Sequence, residues 1–91
     1  MRIARRFVIS GRVQGVGFRW FMRDAAMREG VAGWVTNLPD GRVEAFVEGD
    51  EEAVTRVERA LRAGPPGARV QHVTVIDEDP TGHLTGFEIG H

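Results

Sequence analysis

The spacing of hydrophobic residues changes along the chain, and each change predicts a new element of secondary structure. Over residues 2–13, alternation of apolar and polar positions is typical of a β-strand with one buried face. From Phe18 the apolar residues recur three and four positions apart as far as Gly30, which indicates an amphipathic helix ended by a glycine. The chain therefore begins with a strand followed by a helix.

The same reasoning predicts four more strands and a second helix. In chain order they are strand 31–38, strand 43–47, a helix between Asp50 and Gly64, strand 69–77 and strand 84–89. Pro39, Asp40 and Gly41 supply turn chemistry between the first two of these strands, which are expected to form a hairpin.

This order of elements predicts an α+β protein with a ferredoxin-like α/β sandwich, βαββαβ plus a terminal strand. In that layout an antiparallel sheet of four or five strands carries two helices on one face. With 91 residues the chain is expected to be a single domain, 1–91, because it has no room for a second core. The fold hosts many functions, so function has to be argued from particular residues.

Composition and charge then narrow the choice of function. A net charge of −1 and a pI near 6.3 argue against a general binder of nucleic acid or of membrane surfaces. The sequence has no cysteine, no apolar run of membrane-spanning length and no signal-peptide layout at its start. We therefore expect a cytoplasmic protein, and a monomer.

The segment Gln14-Gly15-Val16-Gly17 lies between the first strand and the first helix. Glycine permits positive φ, so successive backbone N–H groups can converge on one anion, and the start of a helix adds further unpaired N–H groups. Arg19 falls in the first helical turn, where a cation is normally disfavoured unless an anion is bound there. A tight strand-to-helix connection with Arg19 on the surface explains the same pattern, so both interpretations stay open.

Asn37 is the only asparagine in the chain and is predicted near the end of a strand, where this residue is depleted. One interpretation is that it initiates the turn at Pro39. The other is functional, because a ferredoxin-like sheet directs the end of the second strand towards the side where the first strand ends and the first helix begins. That geometry permits Asn37 to meet the glycine loop.

Two stretches of the chain together resemble the acylphosphatase family. They are GRVQGVGFR at 11–19 and GWVTNLPDGRV at 33–43, with Gly49 beyond. The resemblance extends over the whole chain in length and element order. It implies an enzyme that hydrolyses acyl phosphates to a carboxylate and inorganic phosphate.

The resemblance also implies a role for each site residue. The phosphoryl group would be held by a loop and its arginine, made of Gln14, Gly15, Val16, Gly17, Phe18 and Arg19. The catalytic residues would be Arg19, as the side-chain ligand of the phosphoryl group, and Asn37, which would position the attacking water. The sequence departs from the family pattern at Thr36, where a basic residue is more common, and we expect a peripheral effect because Arg19 and Asn37 are intact.

The remaining residues offer little other catalytic chemistry. Ser10 lies upstream of the loop without an activating base, and no Asp/Glu cluster suggests a magnesium site. The histidines lack metal-ligand spacing; they are His72, His83 and His91. A site that holds charge and orients water suits an acyl phosphate, whose carboxylate departs without a proton. We therefore expect no metal and no cofactor, with the substrate's own oxygens helping to take the proton of the water.

Two alternatives belong to other functional classes. A ferredoxin-like module that binds nucleic acid would need exposed aromatic residues on its central strands and a basic surface. Phe7 and Phe46 are the candidates, but the net charge is negative. A non-catalytic anion-binding domain would keep the loop without the activity. The favoured prediction is an enzyme whose ligands are an acyl phosphate and inorganic phosphate, with no nucleic acid or membrane partner; its physiological substrate is not specified by the sequence.

Overall fold

The computed structural model of the chain describes residues 1–90. Its elements in chain order are β1 (Arg2–Arg12), α1 (Phe18–Glu29), β2 (Ala32–Asn37), β3 (Val43–Asp50), α2 (Glu51–Ala63), β4 (Arg69–Glu78) and β5 (Phe87–Ile89). The predicted ferredoxin-like α/β sandwich is confirmed. Neither helix in the described part of the chain is long and apolar enough to cross a lipid bilayer.

The five strands form one sheet in the order β4-β1-β3-β2-β5. β1 pairs antiparallel with β3 and β4, and β2 pairs antiparallel with β3. The expectation of an antiparallel sheet does not hold for the last strand, because β5 runs parallel to β2. β4 ends at the end of the sheet where β2 begins, so the connecting segment 79–86 starts β5 in the same direction as β2.

Both helices pack their apolar residues into one core against the sheet. α1 contributes Phe18 and Met22, and α2 contributes Val57 and Leu61; each is 2% exposed or less. Burial of a side chain of this size stabilises the fold by roughly 1.5–3 kcal/mol. Because the first residue of α1 is anchored in this core, the loop before it is held close to the sheet.

The aromatic residues considered for nucleic-acid binding do not form an exposed platform. Phe7 is fully buried in the core, and Phe46 is only 6% exposed. Phe46 stacks on Trp34, with ring centroids 6.2 Å apart. These positions argue against the nucleic-acid-binding alternative, which requires aromatic faces that a base can reach.

The register of the strands brings the two predicted parts of the site to the same end of the sheet. Val43, the first residue of β3, lies between Ile9 of β1 and Asn37 of β2. The glycine loop follows β1 at this end, so it lies beside the end of β2.

Candidate active site

The glycine loop has a backbone conformation that favours glycine at two positions. Gly15 and Gly17 have φ of 74° and 76°. A Cβ added at either position would meet nothing within 4 Å, so the requirement for glycine comes from the backbone and not from lack of space. Gly17 is also the N-cap residue of α1, and its carbonyl accepts the hydrogen bond of the Phe21 N–H at 3.0 Å.

This loop presents backbone donors that have no acceptor. Among the described residues, the N–H groups of Gly15, Val16 and Gly17 donate no hydrogen bond. The next three N–H groups belong to the first turn of α1, where helix geometry provides no acceptor. A run of free N–H groups in a loop with left-handed residues, followed by the positive end of a helix dipole, favours an anion.

The loop, the arginine and the asparagine meet in one cleft of about 230 Å³. Its lining residues are Val13, Gln14, Gly15, Gly17, Phe18, Arg19, Trp20 and Asn37. Val16 is the predicted loop residue that does not line the cleft, because its side chain packs against the core. The ring of Phe18 is buried, so Phe18 offers the cleft chiefly its backbone.

Gln14 has a contact that the sequence did not suggest. Its side-chain Nε2 donates hydrogen bonds to the carbonyl oxygens of Leu38 at 2.8 Å and Arg42 at 3.0 Å. These carbonyls belong to the turn between β2 and β3. The side chain therefore ties the glycine loop to the segment that follows Asn37, and its two amide protons are already used.

Arg19 is half-buried and is held by the segment after β5. Its Nη1 donates to the carbonyl oxygen of Gly90 at 2.7 Å. Gly90 is fixed in turn, because its N–H donates to the carbonyl of Val35 in β2 at 2.7 Å. Sequence reasoning missed Gly90, since a glycine near the end of the chain carries no signal of contact with a distant arginine. A Cβ at Gly90 would lie 3.0 Å from the Thr36 side chain, so the close approach favours glycine.

Among residues 1–90, the cleft has a positive charge and no acid or base group in its lining. Arg19 is the one charged residue of that described lining. Asp40, in the turn after β2, is bound to Arg42, whose backbone N–H and guanidinium donate to it at 3.1 and 2.8 Å. The backbone hydrogen bond from Arg42 and its guanidinium hold the pKa of Asp40 below its ordinary value, so Asp40 is a poor base.

Metal-ligating side chains do not gather in the part of the chain that the structure describes. No group of three or more His, Asp or Glu side chains there could hold an ion. His83 lies on the segment before β5, where its Nδ1 is 3.3 Å from the Thr81 carbonyl oxygen. His91 lies outside the described residues.

A larger groove of about 490 Å³ lies between α2 and the strands β1 and β4. Its charges are largely compensated, because Arg5 pairs with Glu58 and Asp77, and Arg62 pairs with Glu58. It contains none of the residues predicted for the site. The smaller cleft, with unpaired donors, is therefore the better candidate for binding an anion.

The fold and this cleft define a ferredoxin-like protein with a candidate anion-binding site. The sequence model of the Acylphosphatase family matches residues 5–89, so the chain belongs to the acylphosphatase family, as its two motifs predicted. An acylphosphatase of Anaeromyxobacter dehalogenans is 57% identical over 88 residues, covering 97% of this chain and 95% of that protein. One from Rubrobacter xylanophilus is 54% identical, covering 92% of this chain and 76% of that protein.

A solved structure agrees with this family assignment. The crystal structure of acylphosphatase from Bacillus subtilis superimposes with a TM-score of 0.94 at 37% identity, covering 98% of this chain and 99% of that chain. The agreement in fold therefore extends over nearly the whole of both chains.

Proposed function

We propose that this protein hydrolyses acyl phosphates to a carboxylate and inorganic phosphate. The observation that carries the proposal is the row of unpaired N–H groups from Gly15 to Gly17, in one cleft with Arg19 and Asn37. Membership of the acylphosphatase family supports the same reaction.

The phosphoryl group would bind with its oxygens towards the loop N–H groups and the Arg19 guanidinium. Arg19 keeps one nitrogen, Nη1, on the Gly90 carbonyl, which fixes the plane of the guanidinium. The remaining N–H groups form the planar fork that suits phosphate oxygens. Donors that are fixed before the substrate arrives need no reorganisation, so they stabilise the charge that moves through the transition state.

Asn37 would orient the attacking water. Its side-chain amide makes no hydrogen bond within residues 1–90, although Asn37 is half-buried and lines the cleft. The amide oxygen can accept one proton of a water molecule and direct the water oxygen at phosphorus. Orientation of this kind contributes to catalysis by converting a collision into an aligned attack.

In the chemical step, the water oxygen would form a bond to phosphorus while the bond between phosphorus and the acyl oxygen breaks. That oxygen leaves with the bonding electrons as a carboxylate. One water proton passes to a phosphoryl oxygen, which yields dihydrogen phosphate. A carboxylate is stable without a proton, which accounts for a cleft whose described lining has an arginine and amides but no acid.

Several narrower expectations accompany this proposal. Residues 1–91 would act as one domain, with an acyl phosphate as substrate and inorganic phosphate as product. The reaction would need neither a metal nor a cofactor. Cytoplasmic location and a monomeric state stay predictions from the sequence.

The experiment is hydrolysis of benzoyl phosphate in the presence of a chelator. We expect the wild type to be active, and Arg19→Ala to lose about 10²–10³ in kcat/KM or more, with weaker inhibition by inorganic phosphate. Asn37→Ala should lose kcat with little change in phosphate inhibition. Arg59→Ala, an exposed arginine on α2, is the matched control and should behave as the wild type.

Two results would contradict the mechanism. Activity that the chelator abolishes would show that a metal takes part. Full activity of Asn37→Ala would remove the water-positioning role of Asn37.

A further inference from the structure

Trp20 is a large apolar side chain left exposed at the rim of the candidate site. It lines the cleft and is 57% exposed. The other large apolar residues of the lining, Val13 and Phe18, are at most 2% exposed, so they offer a ligand almost no surface. Among the described residues of this cleft, Trp20 is therefore the side chain that can supply a broad apolar contact.

The indole of Trp20 is held in place by a neighbour on α1. The guanidinium carbon of Arg23, one helical turn further on, lies over the ring at 5.3 Å from its centroid. A cation–π contact of this kind restrains an exposed ring. An aromatic surface that is already ordered loses less conformational entropy when it binds a ligand.

The chemistry of the substrate brings its second half to this ring. An acyl phosphate joins its carbonyl carbon to phosphorus through a single oxygen, so a phosphoryl group held at Arg19 keeps the acyl group within the same cleft. The loop amides and Arg19 meet the charged half. The residue next to Arg19 in the chain is Trp20, and the face of its ring opposite Arg23 is left for the uncharged half.

We propose that Trp20 is a specificity-determining residue, whose indole face binds the acyl group and favours aromatic over small acyl phosphates. This inference rests on the proposed function, since it assigns the second half of the substrate to the same cleft. Stacking of two aromatic rings is favourable beyond the area that it buries, whereas an acetyl methyl group covers little of an indole.

Two other side chains provide matched controls. Met27 lies two turns further along α1, is 60% exposed and lines a different cleft, beside Val31 and Leu84. Trp34 is the second tryptophan of the chain and stacks on Phe46, away from the loop. Replacement of Met27 removes exposed apolar surface, and replacement of Trp34 removes an indole, without changing the proposed acyl contact.

The test compares benzoyl phosphate with acetyl phosphate in steady-state kinetics of Trp20→Ala and Trp20→Phe. For benzoyl phosphate we expect Trp20→Ala to raise KM by about three- to tenfold, the range for one aromatic contact. For acetyl phosphate the rise should be much smaller. Trp20→Phe should keep most of the preference for the aromatic substrate, and Met27→Ala and Trp34→Phe should keep the wild-type ratio.

A binding measurement separates this inference from the proposed function. Benzoylphosphonate and acetylphosphonate, which have a stable phosphorus–carbon bond, are titrated calorimetrically against the wild type and Trp20→Ala. Selective loss of benzoylphosphonate affinity supports the inference, and equal changes for both ligands, or none, overturn it. A wild type that hydrolyses neither acyl phosphate contradicts the proposed function, and the two phosphonates still decide the role of Trp20.

Discussion

The two ends of the same strands carry opposite kinds of polar cluster. At the end where β1 leads into the glycine loop, N–H groups and Arg19 line a cleft to which residues 1–90 contribute no carboxylate. At the other end, the side chain of Glu48 in β3 is fully buried. Glu48 lies five positions after Val43, the β3 residue beside the loop, which is about 17 Å along the strand.

Four hydrogen bonds compensate the charge of the Glu48 carboxylate. It accepts from the Thr81 N–H and hydroxyl and from the Gly82 N–H, each at 2.8 Å, and from Arg2 Nε at 2.8 Å. Burial alone would raise the pKa of Glu48, but the Thr81 and Gly82 N–H groups and Arg2 outweigh it and lower the pKa to about 2.

The difference between the ends separates stability from function. Donors that meet a carboxylate of the same chain hold the segment 79–86 against the sheet. Donors that meet no acceptor among the residues that the structure describes are available to a ligand. β5 connects the two ends, because the segment fixed on Glu48 leads into β5, and Gly90 after it accepts the hydrogen bond of Arg19.

The largest effect on stability is expected from Glu48→Ala. Loss of the carboxylate, which is fully buried, leaves the part-buried N–H groups of Thr81 and Gly82 without their acceptor, so we expect the free energy of unfolding to fall by about 2–4 kcal/mol. Urea denaturation at neutral pH measures this loss of stability. Glu44→Ala is the control on the same strand, since the pair that Glu44 forms with Arg6 is partly exposed and should cost under about 1 kcal/mol. Equal losses in the two variants would contradict the role of Glu48.

This contrast also explains how much could be predicted from the sequence. The glycine loop has local signals, namely a strand that ends, glycines suited to positive φ and a helix that begins. The strand order then follows from the sequence of elements, and it brings Asn37 beside the loop. Those features depend on short stretches of chain, so periodicity and turn chemistry suffice.

The features that could not be predicted depend on contacts between distant segments. Glu48 looks like one acidic position in an alternating strand, and nothing near it in the sequence announces that Thr81 and Gly82 will cover it. The parallel direction of β5 also depends on distant parts of the chain, because it follows from the path of the segment 79–86 that connects β4 to β5. Gly90 is a partner of Arg19 only because this segment brings β5 beside β2.

The pH dependence of stability is a second test of the charge compensation at Glu48. The pKa of Glu48 is about 2 in the folded protein against an ordinary value of 4.5. A depressed pKa contributes stability above pH 4.5, and this contribution is lost as the pH falls from 4.5 towards 2. Unfolding of the wild type and Glu48→Gln by urea at pH 7, 4.5 and 3 should show a difference that shrinks at the lowest pH. A difference independent of pH would be inconsistent with a charged, compensated Glu48.

At the opposite end, the loop conformation can be tested with two glycines of similar backbone conformation, one inside the glycine loop and one outside it. Gly17 and Gly67 have φ of 76° and 88°, and a Cβ on either meets nothing within 4 Å. Alanine in this region costs about 1–2 kcal/mol, so both variants should lose similar stability by urea denaturation. Only Gly17→Ala should lose activity, about tenfold or more in kcat/KM for benzoyl phosphate, because the N–H groups of the glycine loop would no longer converge. Similar kinetics in the two variants would count against the loop as the phosphate site.

The smallest effect is expected where the loop is tied to its neighbouring turn. Gln14→Ala removes the donors to the Leu38 and Arg42 carbonyls. Each carbonyl keeps a backbone donor, Gly41 N–H for Leu38 and Leu38 N–H for Arg42, so no acceptor is left unpaired. The free energy of unfolding should therefore fall by only about 1 kcal/mol.

The kinetics of Gln14→Ala test whether the hydrogen bonds of Gln14 align the glycine loop with Asn37. If Gln14 sets the distance between the loop and Asn37, kcat for benzoyl phosphate should fall by about three- to tenfold, while inhibition by inorganic phosphate stays close to that of the wild type. Gln71→Ala, at an exposed position of β4, is the matched control and should alter neither quantity. A variant that lost phosphate affinity and kept kcat would instead make Gln14 a direct phosphate ligand, as the sequence alone had predicted.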